Sequence, residues 1–373
     1  MRGSLGTTAK TVNALSKHRL DKYEIQSAAR HLLPLERVAH CLHTPSKSSH
    51  NAIQILKAKE RFHYGNLQTC GSVWHCPICA TKISEHRRRE LVQAVTNWKS
   101  SSPAAEVYLL TLTAPHYQHQ HIKPVLNGIT SALKHFFNSR SVKTIAKSIN
   151  LVGRIRSLEI TYGENGWHPH FHILLFVKSP IEITNIQQQL LELWKISCVK
   201  SGLPEPNHHG LKLDNGEMAA QYVGKWGLEH ELTKGHIKQS RGGYSPFDLL
   251  RVLVGSYTGG SLLSLDQDQA SLLFRDYAIN FKAKRQLVWS DGLRRQLLPD
   301  LDELTDQDIA DHIDQGAELF ALINLELWRI IRSRNLRGQV LEACYHGKSS
   351  LDTYLSTISE PIVTITLDTK NPL

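Results

Sequence analysis

The segment WHPHFHILLFV, Trp167–Val177, leaves a chain little freedom. In a β-strand successive side chains point to opposite faces. His168, His170 and His172 then project to one side, and Phe171, Ile173 and Leu175 to the other. The second set needs a core to cover it. The first is a poor choice for a simple core, but neutral imidazoles are good ligands for divalent metals. The bland alternative is a surface histidine cluster on a half-exposed sheet.

The residues just before this strand add a carboxylate. Leu151–Tyr162 also reads as a strand, and GENG, Gly163–Gly166, is a hairpin turn signal. If the hairpin closes with Tyr162 opposite Trp167, Glu159 falls opposite His170. Directly paired residues share a face. The expected centre is two histidines and a carboxylate with open positions, its third ligand being Glu159 or His168. A bulge at the turn would shift the register and break this arrangement.

Two further clusters carry chemistry. DNGEMAAQYVGKWG, Asp214–Gly227, reads as a helix over Gly216–Trp226, capped by Asp214 or Asn215 and ended by Gly227. Tyr222 and Lys225 are three apart and share a helix face. A phenol is a weak nucleophile that a nearby cation and a metal-polarised phosphate would favour. On its own such a pair is ordinary amphipathic packing, and it gains weight only from the histidine strand. Of six cysteines (Cys41, Cys70, Cys76, Cys79, Cys198, Cys344), three give C-x5-C-x2-C. CPIC is a tight knuckle that suits a tetrahedral structural Zn²⁺. Cys41 is the expected fourth ligand, with His75, His86 and His63 as competitors.

With 373 residues, 41% of them hydrophobic, the chain can bury two or three domains. A formal charge of +10 favours a polyanionic partner. No apolar run approaches the ~20 residues that span a bilayer, and the polar start MRGSLGTTAK is no secretory signal, so the cytoplasm is expected. A strand at Val107–His116, a helix at Ile122–Phe137, the two strands above and a helix at Thr184–Val199 capped by Thr184 suggest an α+β domain with an antiparallel sheet. The expected divisions are a flexible basic N-terminus over 1–35, a cysteine-rich zinc module with a basic helix over 36–100, a nuclease domain over 105–260 and a mainly helical region over 262–373. A helix near Asp21–Leu33 is expected within the first stretches, and Ser84–Trp98 is the basic helix.

In this order, CGSVWHCPICATKISEHRRREL, LLTLTAPH, LEITYGENGWHPHFHILLF and QYVGKWGLEHELTKGH resemble the motifs of plasmid rolling-circle replication initiators. These are members of the His-hydrophobic-His endonuclease superfamily. RDYAINFKAKRQLVWSDGLRR, Arg275–Arg295, is similar to the family's C-terminal segment, so the resemblance runs from about Cys41 to Arg295. It implies a five-stranded antiparallel sheet with flanking helices, of the ferredoxin or RRM-like kind. His170 and His172 match the paired metal ligands, Tyr222 the nucleophile and Lys225 the lysine one turn on. The implied reaction is transesterification at a leading-strand origin, giving a 5′-phosphotyrosine link and a 3′-OH primer, with Mg²⁺ or Mn²⁺ offsetting charge. Arg87, Arg88 and Arg89 would hold the DNA backbone. The implied partners are single-stranded or hairpin origin DNA and a host helicase, polymerase and single-strand binding protein, with no membrane. Some relatives place a glutamate one turn before the tyrosine to activate water for the terminating cut. Glu217 lies five residues ahead, about 140° round the helix. Termination falls either to Glu217 or to a second subunit's tyrosine in a homodimer. A single-strand transposase of the same superfamily, a non-catalytic zinc-containing DNA-binding regulator and a water-using metallohydrolase are the rival readings.

Overall fold

A computed structural model describes residues 5–47, 52–225, 243–259, 263–313 and 316–359, with the side chains of 5–15 and 18 excepted. The expected helix end at Trp226–Gly227, and all of QYVGKWGLEHELTKGH beyond Lys225, lie outside these residues. In chain order come α1 (Leu5–Leu32), β1 (Ala52–Ala58), β2 (Arg61–Gly65), α2 (Pro77–Ser101), β3 (Glu106–Leu112), α3 (Ile122–Asn138) and α4 (Arg140–Ser148). They are followed by β4 (Leu151–Gly163), β5 (Gly166–Val177), α5 (Ile183–Lys200), β6 (Leu211–Asp214), α6 (Gly216–Lys225) and α7 (Pro246–Leu253). The chain continues with α8 (Gln267–Phe281), β7 (Leu287–Trp289), α9 (Leu293–Leu297), α10 (Asp306–Asp311), β8 (Glu318–Asn324), α11 (Leu325–Ser333), α12 (Arg337–Tyr345) and α13 (Lys348–Ser359).

The residues fall into two compact units, one of 1–27, 40–69 and 312–373, the other of 28–39 and 70–311. The second holds a five-stranded antiparallel sheet in the order β6-β3-β5-β4-β7. On one face Val107, Leu109, Ile155, Leu174 and Phe176 pack against Leu91, Val95 and Trp98 of α2 and Ala219 and Val223 of α6. The other face carries Phe171, Ile173 and Leu175, as expected, with α3 packed against β5. The β4–β5 turn closes with Gly163 paired to Gly166, and Gly166 takes φ +83°. A Cβ there would meet Tyr117 O and Gln118 Cα at 3.0 Å, so glycine is required twice over.

The first unit corrects the expected divisions. Its sheet is β2-β1-β8: a hairpin from within the expected 36–100 module pairs with a strand from the expected helical region. The last hundred residues are mainly helical but carry β7 and β8, and β7 belongs to the five-stranded sheet. Neither 36–100 nor 262–373 therefore stands alone. The reason is that strand pairing over more than 250 residues leaves no local mark in either partner. Helix α1 is also longer than the expected Asp21–Leu33. At α5 the cap is Glu182 rather than Thr184, its carboxylate accepting from the backbone N–H groups of Thr184 and Asn185.

Within this unit α11, α12 and α13 cover Ile53, Ile55 and Ile323 through Trp328, Ile331 and Val340. The loop after α1 is held by its carbonyls. Gln26 donates to Cys41 O, Arg337 to Leu42 O, and Trp328 and Arg332 to His43 O. Arg337 is fully buried and also donates to Gln26 Oε1 and Ser27 Oγ. Its charge is spread over several acceptors, and its removal strips buried acceptors of their donors. Arg337→Leu is expected to lower stability by about 1–3 kcal/mol for each such acceptor left bare, measured by urea denaturation. An unchanged midpoint would mean that the loop does not depend on this residue.

Candidate metal and tyrosine site

The β4–β5 register is the one on which the expected site depends. Tyr162 pairs with Trp167, Glu159 with His170, Ser157 with His172 and Thr161 with His168, with no irregularity between Gly153 and the turn. Along one sheet face the residues change character. Leu174 and Phe176 enter the core under α2 and α6, while His172, His170, His168 and Glu159 stay half-buried beyond it. Helix α6 spans that change. Val223 goes into the core, and Tyr222 packs at its edge and reaches the polar half. Asn215, the expected cap, accepts from the backbone N–H of Met218.

Glu159, His170 and His172 bring ligand atoms within 4.8 Å of one another. Glu159 Oε2 is 3.4 Å from His170 Nε2 and 3.5 Å from His172 Nε2. The far nitrogens are occupied. His170 Nδ1 lies 3.3 Å from the His168 carbonyl, which can only accept, so Nδ1 carries a hydrogen. His172 Nδ1 is 3.0 Å from Thr111 Oγ1. Such outer partners fix the orientation of metal-binding imidazoles. Tyr222 Oη donates to Glu159 Oε1 at 2.9 Å, and the tyrosine ring sits 4.8 Å from the His172 ring. Burial pushes the Glu159 carboxyl up, but the His170 hydrogen bond, both imidazoles and the Tyr222 hydroxyl outweigh it and hold it at about 2. Burial pushes His172 down from its usual value, against the pull of Glu159. A carboxylate beside two imidazoles is the donor set that a divalent cation takes.

His168 shares the face but not the cluster. Its Nδ1 is 3.2 Å from His116 Nδ1, and its Nε2 is 3.3 Å from Thr113 Oγ1. Burial, followed by the neighbouring imidazoles of His170, His116 and His172, lowers it to about 3. Thr111, Thr113 and His116 all come from LLTLTAPH, and sequence reasoning gave none of them a role. Their only signal was alternation along β3, which places Thr111 opposite His172.

The other expected residues are placed as follows. Lys225 and Glu217 are exposed on α6, and Glu217 accepts from Gln221 Nε2. Arg87 is directed inward, donating to Glu90, Leu304 O and Asp306, and Arg88 binds both oxygens of Glu85. Arg89 also reaches Glu85 but keeps 68% of its side chain exposed. The expected basic stripe is thus largely neutralised by glutamates three and four residues away. Cys41, Cys70, Cys76 and Cys79 are all buried, and within the second unit the sulfurs of Cys70, Cys76 and Cys79 lie within 4.8 Å of one another. Cys76 sits at the cap of α2 with Pro77 after it, and Cys79 lies in the first turn. Cys70 Sγ is 3.7 Å from Cys79 Sγ. Sulfurs about 2.3 Å from a central Zn²⁺ form a tetrahedron with edges of about 3.8 Å. His75, a competitor, faces the Ala278 carbonyl at 2.9 Å.

Comparison with known proteins meets this geometry in its first half. A family model described as replication protein matches residues 63–199, which include β3, β4 and β5. That stretch of the chain is similar to the family. The resemblance drawn from the motifs is borne out. A "Protein rep" of Streptomyces lividans is 24% identical over 298 residues, 62% of this chain and 64% of that protein. A "Protein rep" of Lentilactobacillus hilgardii is 34% identical over 104 residues, 28% of this chain and 32% of its own length. A "Neomycin resistance protein" of Streptomyces cyanogenus is 28% identical over 136 residues, 30% of this chain and 31% of its own. The chain thus spans less than two thirds of the length of these relatives. No solved structure matches. The family match ends before Tyr222.

The depressed His168 has a pH consequence. The unfolded ring takes a proton near pH 6.5, whereas the folded one does so only near 3. Between those values the unfolded state holds more protons, so stability falls as pH drops through that window. The thermal midpoint is expected to fall from about pH 6.5 downward, and less steeply in His168→Gln. Parallel curves for the two proteins would show that His168 is not held neutral.

Proposed function

We propose that this chain is a plasmid rolling-circle replication initiator that nicks one DNA strand at a leading-strand origin, with Tyr222 as the nucleophile. The observation that carries the proposal is the Tyr222 hydroxyl, 2.9 Å from the carboxylate that also faces His170 and His172. The names of the relatives support the replication reading, and the motif resemblance supports the rolling-circle mode. Among the described residues no helix is long and apolar enough to cross a membrane.

Glu159, His170 and His172 would hold Mg²⁺ or Mn²⁺, which when bound polarises the scissile phosphate and offsets its growing charge. The chain's own residues do the rest. Glu159, at about 2, is too weak a base to keep the phenol proton, so its hydrogen bond aims Oη and the proton passes on to solvent. Oη bonds to phosphorus, the bond from phosphorus to the 3′ oxygen breaks, and that oxygen takes a proton from water to become the 3′-OH primer. The 5′ phosphate stays on Tyr222. Glu217, exposed and hydrogen-bonded to Gln221, is turned to solvent, which leaves a second subunit's tyrosine in a homodimer as the candidate for the terminating attack. Origin DNA, single-stranded or extruded as a hairpin, is the substrate in this proposal. A host helicase, polymerase and single-strand binding protein follow from the same resemblance.

Cys70, Cys76 and Cys79 fit a structural Zn²⁺ by donor type, and the Cys70–Cys79 separation fits by edge length, with Cys41 the fourth ligand in this proposal. Cys76→Ser is expected to release about one zinc per chain, read by atomic absorption, and to lower the thermal midpoint. Equal zinc content in both proteins would remove the site.

The deciding experiment is cleavage of a labelled single strand from the plasmid's own origin with Mn²⁺, read on a denaturing gel. Wild type is expected to form a covalent protein–DNA band, with Tyr222→Phe giving none and His170→Ala at least ~100-fold less. Cleavage without an adduct would make water the nucleophile. Neither cleavage nor adduct would leave a DNA-binding protein without this chemistry.

A further inference from the structure

Strand β4 carries charged residues on both faces. Arg154 and Arg156 alternate with Ile155, Ser157 and Glu159, so they lie on the face turned away from Glu159. Both are half-buried. The Arg154 guanidinium lies 4.0 Å over the Phe137 ring, and that of Arg156 lies 5.5 Å over Phe171. Val288 of β7 pairs with Arg156, and the exposed Arg285 stands just ahead of that strand. Burial, then Arg154, then Arg285 push Arg156 below its usual value. Burial also lowers Arg154, which feels the carboxylate of Asp291.

These arginines differ from the other half-buried ones. Arg19 is paired with Glu342, Arg87 and Arg294 with Glu90, and Arg251 with Asp248. Among the described residues none of Arg154, Arg156 and Arg285 makes an ion pair or a side-chain hydrogen bond. Partly desolvated like charges repel, and a fold gains nothing by gathering them unless an anion completes the set. Stacking on Phe137 restrains the Arg154 fork, the Phe171 ring attracts the Arg156 charge from 5.5 Å, and such planar forks match the oxygens of a phosphate.

We propose that Arg154, Arg156 and Arg285 form a cradle for a backbone phosphate of DNA, on the sheet face opposite Glu159 and Tyr222. This rests on the reading that the chain acts on DNA. The cradle would hold DNA flanking the strand to be cut, and would do so without reading its bases. It supplies, on the five-stranded sheet itself, the backbone contact that Arg87 and Arg88 do not.

The test is fluorescence anisotropy of the full chain with a labelled duplex hairpin over a salt series, for wild type, Arg156→Gln and Arg156→Lys. Thermal midpoints without DNA are taken alongside. Arg156→Gln is expected to bind roughly tenfold more weakly. Its log–log salt slope should be shallower by about 1. Its midpoint should be no lower than wild type, since a repelling charge is gone. Arg156→Lys should keep the slope and bind with intermediate affinity. Unchanged affinity and slope with a lower midpoint would make the arginine only a packing group and overturn the cradle. Adduct formation by wild type on the same hairpin reports the nicking reading separately. Weakened binding without any adduct would leave the cradle standing and remove the nicking, while a wild type that binds no hairpin would remove both.

Discussion

The site depends on one pairing, Glu159 opposite His170. A strand's side chains alternate, so a slip of one residue would send the carboxylate to the Phe171 face and leave the imidazoles with nothing to face. The two-residue turn between Gly163 and Gly166 fixes that register. Gly166 can hold it because its missing Cβ lets the chain at Tyr117 and Gln118 lie against the turn. The same register puts Ile155 opposite Leu174, inside the core under α2 and α6. The apolar half of the face anchors the polar half.

That continuity explains how Tyr222 arrives. Val223 and Ala219 are drawn into the core, which fixes the rotation of α6 about its axis. Tyr222, one residue before Val223, then lies at the core's edge with its hydroxyl on Glu159. The nucleophile proposed here is positioned by hydrophobic packing on one side and by a single hydrogen bond on the other. Thr111 works similarly from β3, its hydroxyl against His172 Nδ1 leaving Nε2 turned to the carboxylate. Charge follows the same economy. Glutamates near Arg87 and Arg88 quiet a helix that looks basic in sequence, whereas Arg154 and Arg156 make no ion pair among the described residues.

Much of the site was legible because its signals are local. Alternation in Trp167–Val177 gave the strand and its faces, GENG gave the turn, and together they gave the partner of His170. The C-x5-C-x2-C spacing gave the three clustered thiols of Cys70, Cys76 and Cys79. The illegible parts depend on contacts between distant segments. His168 follows the same alternation as its neighbours, but His116 and Thr113 take its nitrogens. Strand β8 lies within a helical stretch and is defined by β1, more than 250 residues earlier.

By itself, then, the sequence determined what periodicity and spacing can encode: the antiparallel hairpin, its two faces, the cysteine knuckle and the helix that bears Tyr222. Only the tertiary structure decided which side chains on a shared face meet. It separated His168 from Glu159, turned Arg87 inward, brought Arg285 towards Arg156 and joined the hairpin of β1 and β2 to β8. The physical reason is range. Backbone geometry repeats every two or 3.6 residues and is written in neighbours, while partners for charge and for strand edges come from anywhere in the chain and are chosen by burial.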